Sequence, residues 1–143
     1  QSQRWHRDPE EKRICKVFIY LNDIDEEAGP FTHINGSQRG GKYGHLFPQK
    51  TPEGVYPKES ELLSKVDPKD IRLMTAPKGT VIFCDTSGLH RGGYAKTKER
   101  LMFTAFFSAP TNTEKPWYKI SEEDKEILKK ELNEEQKFSL SIN

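Results

Sequence analysis

The sequence predicts a mainly β protein, a sandwich or open barrel of short strands, with a helix near its C-terminus. Three observations predict it. Apolar residues are only 33% of the 143, yet they gather in a few runs instead of spreading along the chain. Those runs are short, rich in Val, Ile, Phe and Tyr, and separated by Gly- and Pro-containing turns. A sustained helical period appears only toward the end of the chain. A chain of this length holds one compact domain, 1–143, with core strands and a long loop over 1–110 and a helical extension over 111–143.

The elements follow in order. His6-Arg7-Asp8 reads as the end of a strand, because Pro9 comes next and cannot donate to a sheet ladder. Ile14 to Asn22 is a strand with Cys15, Val17, Ile19 and Leu21 on one face and Lys16, Phe18 and Tyr20 on the other. Asp23 to Pro30 is an acidic turn, Phe31 to Ile34 a short strand, and Asn35-Gly36-Ser37 a turn. Residues 38–58 hold four glycines, three prolines and no period, which marks a long surface loop, either a functional lid or a mobile connection. Glu59 to Val66 has Leu62, Leu63 and Val66 at helical spacing. Ile71 to Thr75, Thr80 to Asp85 and Ser87 to Arg91 read as strands, with Pro77-Lys78-Gly79 as the turn between the first two. Arg100 to Ser108 is the most apolar run; with both faces largely nonpolar it is expected to be a central strand covered on both sides. Ser121 opens a helix that runs to about Gln136, with Ile127, Leu128 and Leu132 on one stripe that is expected to pack on the outside of the sheet.

Composition excludes more than it selects. The 23 basic and 22 acidic side chains nearly cancel, so no global field favours nucleic acid or an anionic membrane surface. No stretch is long and apolar enough to span a bilayer, and no signal segment opens the chain. Cys15 and Cys84 both lie in apolar strand-like runs and are expected to be buried free thiols, in keeping with a reducing, cytoplasmic setting.

The chemistry sits in three short pieces: His6 and Asp8, His90, and Arg100. Residues two apart in a strand face the same way, so His6 and Asp8 can both face one ion. Two imidazoles and a carboxylate can hold one face of an octahedral iron(II) and leave the remaining positions open. By itself His-x-Asp is a weak signal, and the plain alternative for His6 is an exposed residue near a terminus. His90 and the Gly92-Gly93 connection place Arg100 beside it, on the face shared by Met102, Thr104 and Phe106. An inward guanidinium needs an anion, and a dicarboxylate cosubstrate supplies one; the alternative is a pair with Glu99 or Asp85 at the strand edge. His33 is expected to be a packed wall residue and His45 to face solvent, since neither has a carboxylate at ligand spacing.

Taken together, Trp5-His6-Arg7-Asp8, Val17 to Ile24, Glu27 to Phe31, Asn35-Gly36-Ser37, Pro77 to Phe83 and His90-Arg91-Gly92 through Arg100 occur in the order seen in phytanoyl-CoA dioxygenase-like oxygenases. The chain resembles that family over roughly residues 4–108, although it has Asn35-Gly36-Ser37-Gln38 where the family commonly has Pro-Gly-Ser-His. The resemblance implies a double-stranded β-helix (jelly roll). It also implies an iron(II)- and 2-oxoglutarate-dependent dioxygenase that uses O2 to hydroxylate a small-molecule or acyl substrate. On the same footing, His6, Asp8 and His90 would ligate iron, Arg100 would bind the distal carboxylate of 2-oxoglutarate, and Phe18 would fall near a Trp that lines the cosubstrate pocket. Asp8 argues against a halogenase, in which a small residue leaves room for halide. The family's first strands precede its His-x-Asp motif, which stands here at position 6. The expectation is therefore an incomplete, open barrel whose exposed strand edges can pair with another copy. Two rival readings accompany it: a non-catalytic, cupin-like binding jelly roll, and an inactive truncated domain.

Overall fold

The computed structural model describes residues 2–50, 53–109, 119–140 and 142. Contacts divide the chain into two units, Gln1–Asn112 and Thr113–Asn143. The first unit is mainly β. Its strands are β1 (Ile14–Tyr20), β2 (Phe31–Ile34), β3 (Ile71–Leu73), β4 (Val81–Cys84), β5 (His90–Gly92) and β6 (Met102–Ser108), with a short helix, α1 (Glu59–Leu63), between β2 and β3. They form two antiparallel sheets of three strands, in the orders β4-β1-β6 and β3-β2-β5. Among the described residues no helix is long and apolar enough to cross a membrane.

The strands begin and end where alternation and turn chemistry place them. β1 stops at Tyr20 as the chain enters the Asp23 to Pro30 turn, where the Asp25 side chain accepts a hydrogen bond from the Glu27 N–H and caps a single 3-10 turn. Gly29 ends that turn at φ +67°, and a Cβ there would lie 2.6 Å from the backbone of Gly93 and Ala95, so only glycine fits. The inner face of β1 is Lys16, Phe18 and Tyr20. Phe18 packs on Phe31 of the opposite sheet with ring centroids 4.7 Å apart, and Cys84, Ile82, Met74 and Met102 close the layer around them. The far face of β2 carries Ile34, which joins Trp5, Tyr43, Leu62, Val66 and Leu89 in a second core.

Several expectations need correction. The Arg100 to Ser108 run is not a central strand covered on both sides. β1 holds the central place and β6 pairs with β1 alone among the named strands, leaving Phe103 54% and Phe107 50% exposed. Apolarity on both faces reports what a strand could bury, whereas its neighbours are set by topology. Arg100 and Leu101 precede β6, and β5 begins only at His90, because Ser87 and Gly88 form a turn in which the Asp85 carboxylate and carbonyl accept their N–H groups. The helix α1 ends at Leu63 instead of running to Val66; Leu62 and Val66 are buried and Leu63 is exposed.

In the second unit the single helix is two, α2 (Glu122–Glu131) and α3 (Glu134–Ser139). Leu132 is extended, and Asn133 starts a new helix with a reciprocal capping box to Gln136, which outcompetes continuation of α2. Cys15 and Cys84 are free thiols; Cys84 is buried and Cys15 partly so.

Candidate metal centre

His6 and Asp8 lie in no regular strand. Single bridges hold their segment in place: His6 exchanges both backbone hydrogen bonds with His90, Arg7 N–H donates to Val55, and Asp8 N–H donates to Thr86. This puts the two predicted neighbours and the distant His90 against one another. One ligand atom from each of His6, Asp8 and His90 lies within 4.8 Å of the others, and all three residues are buried. Each Nε2, of His6 and of His90, is 3.7 Å from an oxygen of Asp8.

The two rings are oriented from behind. His6 Nδ1 lies 2.7 Å from the Arg4 carbonyl and His90 Nδ1 lies 2.9 Å from the Gly88 carbonyl. A carbonyl only accepts, so each Nδ1 carries the proton, and in the neutral ring Nε2 presents its lone pair to the site. Tyr56 stacks on His6 at 5.8 Å, while Phe31 closes on His90 at 5.7 Å. Burial pushes His90 well below the usual histidine range, so its ring is neutral. Burial pushes the Asp8 carboxyl up, but the Lys16 ammonium facing it outweighs burial and the net direction is down. Asp8 is therefore a carboxylate. Its Oδ2 is buried, and although Lys16 Nζ pairs with it at 2.7 Å, no hydrogen bond is aligned on it. Two imidazole lone pairs and a carboxylate facing inward repel one another unless a cation sits among them, so these donors fit an iron(II) or similar dication.

Two residues that matter here were not singled out in the sequence. Arg7 points away from the ligands into the protein, where it is 2% exposed. Its guanidinium donates to the carbonyls of Phe47, Ser37, Ser87, Tyr43 and Leu46 at 2.5–3.3 Å, which uses all five N–H groups. Burial, only partly offset by Asp85, pulls it down to about 10. The loop read as a lid or mobile connection is thereby fastened over 37–47. Tyr43 adds a second tie by donating to Asp70 at 2.7 Å. A signal for Arg7 existed: in a strand-like segment it must face opposite to His6 and Asp8. Lys16 is the other. It shares a face with Phe18 and Tyr20, and a lone ammonium among aromatics demands an anion, here Asp8.

The remaining predicted residues fall as follows. Phe18 is buried beside Phe31, on the layer that carries His90. Arg100 is half-buried; burial, partly offset by Tyr20, lowers its pKa, and it donates to the Gly29 carbonyl. Among the described residues it pairs with no carboxylate, neither Glu99 nor Asp85. His33 packs at the wall near Asp85 and Gly88 with Nε2 unpartnered, and His45 is exposed.

A family model described as phytanoyl-CoA dioxygenase (PhyH) matches residues 1–102. A search of curated proteins finds no match.

Proposed function

The chain belongs to the phytanoyl-CoA dioxygenase family, and from that premise we propose that it is an iron(II)- and 2-oxoglutarate-dependent dioxygenase that hydroxylates a small molecule or acyl derivative. The observation that carries the reading is the convergence of His6, Asp8 and His90, with both Nδ1 protons tied back to carbonyls. In this reading the two sheets are part of a double-stranded β-helix. His6, Asp8 and His90 hold the iron. When bound, iron with 2-oxoglutarate and O2 supplies oxidative decarboxylation to succinate coupled to hydroxylation of a C–H bond.

The chain's own groups orient and shield that chemistry. Arg100, without an acid partner among the described residues, receives the distal carboxylate of 2-oxoglutarate through its planar fork. Phe18 and Phe31 line the cosubstrate side and keep water from it, which strengthens each charge contact inside. Neutral His90 binds a cation without first losing a proton. Anaerobic addition of iron(II) and 2-oxoglutarate tests the reading: a visible charge-transfer absorption is expected, and it should vanish in Asp8→Ala and in Arg100→Ala. Absence of both the absorption and succinate release sinks the oxygenase reading. Ligand binding without succinate release then leaves a cupin-like binding domain, and neither leaves an inactive one.

A further inference from the structure

We propose that Lys16 is a positioning residue that acts as the internal counter-ion of the metal site. It competes with a dication for Asp8 and so couples metal capture to the arrival of a dianionic cosubstrate. The inference rests on the reading of His6, Asp8 and His90 as metal ligands, and it starts from where β1 puts the lysine. Lys16 lies on the inner face, opposite Cys84 on one neighbouring strand and Phe106 on the other, with its side chain 19% exposed. Its Nζ is 2.7 Å from Asp8 Oδ2 and 5.7 Å from the centre of the Phe106 ring. Among the described residues Asp8 is the only carboxylate within ion-pairing distance of it. A largely buried ammonium with a single anion cannot share that anion cheaply.

A dication at His6, Asp8 and His90 would claim the same carboxylate. One negative charge then faces the metal's two positive charges and the lysine's one, in surroundings that screen poorly. Arg100, half-buried beside Gly92 of β5, has no acid partner among the described residues. Asp8 alone therefore offsets little of the charge once metal enters, whereas a dicarboxylate such as 2-oxoglutarate supplies what is missing. Linkage makes this reciprocal: the dianion raises metal affinity by the factor by which metal raises dianion affinity. Lys16 thus disfavours metal binding without cosubstrate while holding Asp8 turned toward the two histidines.

The test reads metal binding and needs no turnover. Free Mn(II) is followed by electron paramagnetic resonance as it is titrated into the 143-residue chain, with and without saturating 2-oxoglutarate. The forms compared are wild type, Lys16→Met, Lys16→Gln, Lys16→Arg and Asp8→Ala. Both neutral variants are expected to bind Mn(II) alone about tenfold tighter than wild type or more. The increase in Mn(II) affinity caused by 2-oxoglutarate should shrink in both, and Lys16→Arg should behave as wild type. Two neutral variants guard against one that fails to fold, which thermal unfolding reports. Mn(II) affinity that is unchanged or weaker in the neutral variants overturns the proposal and leaves Lys16 a simple support for Asp8. In that case the metal-site reading still stands, provided wild type binds and Asp8→Ala does not. If no form binds Mn(II) even with 2-oxoglutarate, the metal-site reading fails and this inference fails with it.

Discussion

At the scale of single residues, the candidate site is held by what stands behind His6, Asp8 and His90. Arg7 has five backbone acceptors and no carboxylate at ion-pair distance among the described residues. Lysine keeps the charge but offers three donors from one point, so Arg7→Lys is expected to cost about 2 kcal/mol or more of stability, read by urea denaturation. His33 gives a pH dependence. Burial lowers its pKa below the ordinary 6.5, against smaller opposing effects of Asn35 and Asp85. The unfolded chain therefore takes up a proton below pH 6.5 that the folded chain resists. The contribution is complete above 6.5 and is lost as pH falls through that value. Urea midpoints measured with a chelator between pH 7.5 and 5 should fall for wild type and fall less steeply for His33→Phe. Cys84 is pushed by burial up to about 12, so its thiol should resist alkylation at pH 8 until denaturant is added, as mass spectrometry of the digest would show.

At the scale of elements, β1 decides the most. Its alternation was plain in the sequence, but the sequence did not say which face turned inward. The face with Cys15, Val17, Ile19 and Leu21 is the more uniformly apolar, yet the face with Lys16, Phe18 and Tyr20 is the one that packs. The difference is argued by two substitutions. Phe18→Ala should cost about 3–5 kcal/mol, as expected for a buried aromatic. Phe83→Ser, on the β4 face opposite Val17 where Phe83 is 74% exposed, should change stability by under about 0.5 kcal/mol. Denaturant titration of the two variants compares them directly, and similar losses would mean that both faces of the sheet are covered. The break between α2 and α3 was missed because Leu132 continues the apolar stripe, whereas the Asn133 and Gln136 side chains that start α3 act locally and override it.

At the scale of the whole molecule, short-range patterns were legible and assembly was not. Strand segments and the turns at Asn35 and Pro77 could be read from residue type and spacing, whereas the set of His6, Asp8 and His90 took its force from the resemblance to a family. The bridge that sets His6 against His90 joins residues far apart in the chain, and no local period reports it. Arg100 stands just ahead of β6 and donates to the Gly29 carbonyl, a partner from a distant turn that no local pattern announces. Because the three candidate ligands come from separate segments, a dication bound among them would tie those segments together and stabilise the fold. Mn(II) at a hundredfold excess over its dissociation constant should add about 2.7 kcal/mol. Thermal unfolding with and without metal should show that gain in wild type and none in Asp8→Ala.

The Arg7 clamp has a consequence for how this protein can change over generations. Each bond it makes ends on a main-chain oxygen, and a main-chain oxygen is the same in every amino acid. The stretch from Ser37 to Phe47 is therefore free to exchange its exposed side chains, Arg39, Lys42 and His45, one at a time, without the clamp registering the change. What it cannot exchange is its length. Removing one residue from it would pull carbonyls off Arg7 and, through the neighbouring peptide bonds, shift His6 and Asp8 together. Exposed side chains there can vary, while a change of length would disturb the site.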